Sequence, residues 1–184
     1  MARTIQTLTA AGKNILLVGE GDFSFALALS SILGSAKSIM ATSLDSFDTV
    51  VRKYPEAKQR LTDLSARGAT VLHGVDATKL STHARLTGKR FDCVVFNFPH
   101  SGVNYNNHFY DPVQLQEHFS SNIALLRGYF ASAPSVLSAH GEILITNKTG
   151  DPYDRWNLLE QAGAASLTLV QQCPFDKGYF PGYS

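Results

Sequence analysis

Several things are scarce in this 184-residue chain, and each scarcity removes a class of protein. There are only two cysteines, Cys93 and Cys173, far apart and without a Cys-x-x-Cys or a His pair at ligand spacing. That argues against a disulfide framework and against zinc, and leaves both thiols as inert core groups. No apolar run approaches the roughly 18 residues of a membrane span. The N-terminal "MARTIQTLTAAGKN" has no hydrophobic centre of a secretory signal. Charge is also sparse: 17% of residues carry one, and the net value is +1. A freestanding nucleic-acid binder usually shows more positive charge, so RNA contacts would need locally basic patches or further segments. The expected setting is an intracellular, soluble protein, with no membrane, no metal and a monomeric state.

What is present is a regular alternation. Hydrophobic residues make up 44% of the chain, enough for one good core, and mean hydropathy is −0.05. Strand-like Ile15–Val18 precedes helix-like Phe23–Leu33, with Asp22 as N-cap and Gly34 just past the C-terminus. Strands are expected at Ser38–Ser43, Thr70–Gly74, Phe91–Phe96, Glu142–Asn147 and Leu167–Gln172. Helices are expected from Pro55 to Arg67, from Asp111-Pro112 onward, and over Asp154–Gln161. In the second of these, Phe119, Ile123, Leu126 and Phe130 share one face. The class is α/β: one Rossmann-like domain over 1–184, its mainly parallel sheet covered by helices on both faces. Residues 1–13 are expected to be a flexible or peripheral segment.

In such sheets ligands bind beyond the carboxyl ends of the strands, where strand order reverses. Strand one ends in Gly19-Glu20-Gly21-Asp22, strand two in Asp45, strand three in Asp76, and strand four in Asn97-Phe98-Pro99-His100. Gly19 and Gly21 begin a dinucleotide fingerprint, but Ser24 stands where its third glycine belongs, and no Gly-Lys-Ser/Thr follows. The first loop reads equally well as a mere tight turn. Glu20 and Asp22 would repel a pyrophosphate and suit a cationic ligand. S-adenosylmethionine, with its sulfonium and ammonium, is such a ligand. Asp45, 24 positions after Gly21, lies near the roughly 20-residue offset of a ribose-binding acid. Asp45 and Asp76 both have a plainer reading as helix N-caps.

The stretch 97–111, "NFPHSGVNYNNHFYD", has no periodicity and is rich in Asn, aromatics and His. Loops of this length are uncommon and often functional. Asn97 and the Phe98 carbonyl can fix a target nitrogen, in a pattern that resembles the Asn-Pro-Pro-Tyr loop of amino methyltransferases acting on bases. His100 stands at the stacking place and has the intrinsic pKa of a base. Tyr105, Phe109 and Tyr110 are candidates for a wall against a splayed base, and His108 is a further substrate-binding candidate. His73, His83, His118 and His140 show no spacing that suggests shared chemistry.

Together "LLVGEGDFSFA", "ATSLDS", "KYPEA", "GATVLHGVDAT", "FDCVVFNFPHSG" and "FPGYS" resemble a Rossmann-like methyltransferase family. Its type is the eukaryotic large-subunit rRNA uridine-N3 methyltransferase, and the resemblance runs from Asn14 to Ser184. It implies an enzyme of rRNA processing that uses S-adenosylmethionine, in the nucleus or nucleolus, with the cytoplasm as the other compartment. It places Gly19, Glu20, Gly21, Asp22, Phe23 and Ser24 at the methionine end of the donor, Asp45 at the ribose and Asp76 at the adenine. Asn97 would border the donor as well. Asn97, Phe98, Pro99 and His100 become the catalytic segment, with His100, Tyr105 and His108 toward the RNA. Compared with the general methyltransferase loop, Leu17 replaces the usual acid and Phe23 the third glycine, a form the subfamily shares. The readings set beside this one are a donor-binding module without catalysis, a methyltransferase of small molecules or proteins, and a nicotinamide oxidoreductase.

Overall fold

A computed structural model describes residues 2–103 and 112–184. Its strands are β1 (Ile15–Val18), β2 (Ile39–Ser43), β3 (Thr70–His73), β4 (Phe91–Asn97) and β5 (Leu137–Thr146). All pair in parallel, in the order β3-β2-β1-β4-β5. The chain thus moves outward one way from β1 through β2 to β3, then returns to the other side of β1 with β4. The reversal falls between β1 and β4, where Leu17 pairs with Val95 and Val18 with Phe96.

Each inner strand is apolar on both faces because both faces are covered. The period of two divides β1 cleanly. Ile15 and Leu17 join Ala41, Val95 and Leu29 in one cluster, whereas Leu16 and Val18 join Met40, Val94 and Leu126 in another. The first cluster lies under α2 (Ser24–Leu33) and α4 (Ala57–Ala66), and the second under α5 (Pro112–Ser132). The expected α/β class with helices on both faces is therefore present.

Several boundaries differ from the sequence reading. Phe23, rather than Asp22, occupies the cap position of α2, in a left-handed conformation with φ 63°. Gly34 closes the helix as expected, with φ 70°. Ahead of α4 stands an additional helix, α3 (Phe47–Lys53), started by Ser46, whose hydroxyl accepts from the Thr49 amide at 3.3 Å. Within the stretch 1–13, Ala2–Thr9 form α1, and Leu8 is buried. In α5 the deeply buried face is His118, Asn122, Leu126, Tyr129 and Phe130; Phe119 and Ile123 are only partly covered. Asp154–Gln161 divides into a 3₁₀ turn, Tyr153–Trp156, and α6 (Leu158–Ala164).

The expected sixth strand at Leu167–Gln172 does not form. Leu167 packs against the second cluster, but Leu169 is 55% and Val170 68% exposed, so beyond its first residue neither face of the segment is packed. β-branched and leucine-rich sequence becomes strand only where a face finds a partner. Instead β5 extends back to Leu137, with an irregular register opposite Phe91 and Cys93. Gly141 allows this, since a Cβ there would lie 2.8 Å from the Phe91 carbonyl oxygen.

Leu126 is fully buried at the centre of the second cluster. Leu126→Ala should cost about 3 kcal/mol, read as a lower urea midpoint with unchanged slope.

Candidate functional site

At the reversal, the tips of β1 and β4 lie side by side. Gly19 has φ +69°, and a Cβ on it would sit 2.3 Å from Cε2 of the Phe96 ring. That ring cannot easily retreat, because it packs edge-on against buried Tyr129 at 5.0 Å. Only glycine combines this backbone with this approach. The chain then crosses toward β2: the Glu20 amide donates to the Thr42 carbonyl at 2.8 Å.

The two acids of the loop turn back onto α2. The Ser24 amide and hydroxyl donate to Asp22 Oδ1 at 2.9 and 2.7 Å, and the Ala26 amide donates to Glu20 Oε2 at 3.1 Å. Both carboxylates therefore satisfy amides of the first helical turn, which otherwise lack partners. This is why a helix can start here although its cap residue is a phenylalanine. Phe23 tolerates the left-handed region because its ring is fully buried and meets His73 edge-on.

Glu20 is 8% exposed. Burial pushes its carboxyl up to about 7; the Ala26 amide opposes the shift and the Asp22 charge adds to it. Asp22 behaves oppositely. Burial raises it, but hydrogen bonds from Ser184 and Ser24 and the Arg60 guanidinium outweigh that and hold it below the usual carboxylate range. Arg60, on α4, is ion-paired to both Asp22 and Glu56. The loop is thus less anionic than its letters suggest: one acid is matched by arginine and the other titrates near neutrality.

Asp45 follows β2 and pairs with Lys53 at 2.7 Å. Its carbonyl accepts from His73 Nδ1 at 3.0 Å, which fixes the hydrogen of that ring on Nδ1. Asp76 follows β3 and caps the 3₁₀ turn Ala77–Thr82, accepting from the Thr78 amide and hydroxyl at 2.9 and 2.7 Å. Partial burial opposes ionisation of Asp76, but the bonds from Thr78 and Lys79 lower its pKa nonetheless. The capping role weighed for Asp76 is real; Asp45 caps nothing, since Ser46 starts α3.

Asn97 ends β4 opposite Thr146 of β5, whose hydroxyl donates to Asn97 Oδ1 at 2.8 Å. Asn97 Nδ2 is buried and has no hydrogen-bond partner among the described residues. An amide donor left in this state beside the reversal is suited to an absent acceptor. Phe98 has φ +49°, donates its amide to the Thr146 carbonyl at 2.8 Å, and sets its ring edge-on to Phe175. Pro99 is buried and His100 exposed. The Gly102 amide donates to His100 Nδ1 at 3.0 Å, so the neutral ring carries its hydrogen on Nε2. Partial burial, then His118 and Lys148, push the His100 pKa below its ordinary value. Tyr105, His108, Phe109 and Tyr110 lie outside the described residues.

The structure adds participants that the strand-tip motifs did not reveal. Arg60 has no local signal. The tail does: Phe180 and Tyr183 pack on Phe25 at 4.9 and 5.3 Å, and Ser184 donates to Asp22. His118 stands beside His100 at 5.7 Å and Trp156 at 5.8 Å. A cleft of about 290 Å³ lies by Lys13, Asp92 and His140, and one of about 520 Å³ runs along Phe119, Ile123 and Arg127 of α5. Among the described residues no group of three metal-binding side chains converges, and no helix is long and apolar enough to cross a membrane.

The fold is that of S-adenosylmethionine-dependent methyltransferases. A solved TehB-like SAM-dependent methyltransferase from Corynebacterium glutamicum superimposes with TM-score 0.53 at 20% identity, covering 89% of this chain and 70% of that one. More particularly, a family model described as rRNA (uridine-N3-)-methyltransferase, BMT5-like, matches residues 16–184, and the chain belongs to that family. The chain is 44% identical over 174 residues to heavy metal-associated isoprenylated plant protein 41 of Arabidopsis thaliana, covering 95% of this chain. It spans only 33% of that relative's length. It is also 25% identical over 220 residues to the 25S rRNA (uridine(2634)-N(3))-methyltransferase of Saccharomyces cerevisiae, with 93% of this chain and 65% of that protein covered.

Glu20 makes stability depend on pH. Its folded pKa lies above the unfolded value of 4.5, so its contribution is complete below pH 4.5 and is lost as pH rises through about 7. Above that, the buried carboxylate costs about 3 kcal/mol relative to the acid form. Glu20→Gln should therefore gain stability over the wild type at pH 8 and lose that advantage at pH 5, measured by urea unfolding.

Proposed function

We propose that the protein transfers a methyl group from S-adenosylmethionine to RNA, at N3 of a uridine in large-subunit rRNA. The observation that carries the reading is the family match over 16–184, which includes the Gly19 loop and the Asn97 segment side by side at the strand reversal. The yeast relative, named for methylation of a 25S rRNA uridine at N3, supports that target, and a nuclear or nucleolar place of work is part of the same proposal.

In this reading Gly19, Glu20, Gly21, Asp22, Phe23 and Ser24 border the methionine end of the donor, Asp45 its ribose and Asp76 its adenine. Gly19 leaves the backbone bare where the donor approaches. Glu20, with its pKa near 7, releases its proton to meet the donor's cationic end. Asp22 acts through Arg60 and Ser24, as the brace that keeps the loop and α2 together.

The sulfonium is a good leaving group, so lining up nitrogen, methyl carbon and sulfur accounts for most of the acceleration. A paired uridine must first leave its stack. Its N3 hydrogen has to depart as the nitrogen–methyl bond forms and the sulfur–methyl bond breaks. Asn97 and the Phe98 carbonyl hold that nitrogen, and Pro99 stiffens the turn between them and His100. His100 takes the proton on Nδ1, which requires its bond from the Gly102 amide to open. Tyr105 and His108, outside the described residues, are the further candidates for contact with the base. Because the net charge is only +1, phosphate contacts come from local basic patches or from further segments.

A second reading, donor binding without catalysis, is favoured by that same low charge. The two separate in one assay. Purified protein, labelled donor and large-subunit rRNA fragments should yield 3-methyluridine by nucleoside mass spectrometry, and Asn97→Ala should slow this by roughly 100-fold. Wild-type protein that binds the donor but leaves every uridine unmodified would establish the binding module instead.

A further inference from the structure

Two polar side chains sit where α5 should be wholly apolar. His118 is 2% and Asn122 1% exposed, one turn apart and on the same face as Leu126. Neither belongs to the strand-tip motifs. Both reach into the segment that follows β4. The Ser101 amide donates to Asn122 Oδ1 at 2.9 Å, and Asn122 Nδ2 donates to the His118 carbonyl at 2.8 Å. His118 Nδ1 lies 2.9 Å from the Val103 carbonyl, which can only accept, so the imidazole is the donor there. The His118 ring also lies 5.7 Å from His100 and 5.8 Å from Trp156, and His100 is 6.0 Å from Trp156.

We infer that His118 and Asn122 are positioning residues: a polar clamp from α5 that fixes the backbone at Ser101 and Val103 and so aims Asn97 and His100. The inference rests on the proposed methyl transfer for its purpose, but its geometry stands independently. Buried hydrogen-bonded pairs add little net stability over apolar residues of similar shape, whereas their directionality selects one arrangement of the atoms they join. The segment needs such selection. Phe98 holds a left-handed backbone, and within a few residues the chain must present the Asn97 amide, bury Pro99 and turn His100 outward. The clamp acts just beyond that turn, on the amide of Ser101 and the carbonyl of Val103. It also seats His100 against two buried rings.

The role is confined to the segment that follows β4, where the two side chains bond the Ser101 amide and the Val103 carbonyl. Four variants test it: Asn122→Leu and His118→Phe, which keep volume and remove the bonds, and Asn122→Asp and His118→Asn, which each restore one. Asp retains the acceptor for the Ser101 amide; the Asn amide nitrogen takes the place of Nδ1 toward Val103. Amide hydrogen exchange at Ser101 should speed at least tenfold in Asn122→Leu and return toward wild type in Asn122→Asp. Methyl transfer should fall at least tenfold in kcat for both volume-keeping variants, with partial recovery in His118→Asn.

Unchanged Ser101 exchange in Asn122→Leu would overturn the clamp. So would unchanged kcat in a variant whose exchange has risen. If wild-type protein methylates no RNA, the functional reading fails, and the exchange measurement alone decides whether the clamp exists. If Asn122→Leu does not fold, His118→Phe set against His118→Asn carries the same comparison, with Ser101 exchange and kcat as the readouts.

Discussion

The contact on which this site depends is the approach of Gly19 to Cε2 of the Phe96 ring. Parallel strands of one sheet bring β1 and β4 together, and the left-handed glycine lets the chain leave β1 without a side chain in the gap. From there the loop is led to β2 by one backbone bond and to α2 by two carboxylates. A larger residue at position 19 would push the ring into Tyr129 or the loop away from the sheet. Either shift would alter the edge where the proposed donor loop and the Asn97 segment meet.

Electrostatics then distinguishes the two acids of that loop. Sequence alone makes Glu20 and Asp22 look equivalent, a doubly negative turn awaiting a cation. In the folded protein Asp22 is spent on Arg60, Ser184 and Ser24, and Glu20 is buried and near half-ionised at neutral pH. A neutral loop costs little to keep folded, and in the proposed function a cation arriving there would convert the acid into a carboxylate, so that the turn that caps the helix would also meet the donor.

Much of the fold was legible because β1, β2 and β4 are short apolar runs and Gly34 and Gly68 close helices in left-handed backbone. The strand tips followed from the same alternation, which is why Gly19, Asp45, Asp76 and Asn97 could be named together. What escaped has a common cause: it depends on contacts distant in sequence. Leu167–Gln172 has strand-like letters, but past Leu167 it finds nothing to pack against. Arg60 meets Asp22 across 38 positions, and Ser184 does so across 162. His118 and Asn122 were hidden by the neighbouring register of Phe119 and Ile123, although their four-residue spacing with Leu126 was in plain view.

The most direct test is calorimetric titration of the wild-type protein and Gly19→Ala with S-adenosylmethionine, and of the wild type with NAD. Saturable binding of the methyl donor by the wild type, at least tenfold weaker binding by Gly19→Ala, and no heat with NAD are the results expected. Saturable binding of NAD with none of the methyl donor would contradict the account.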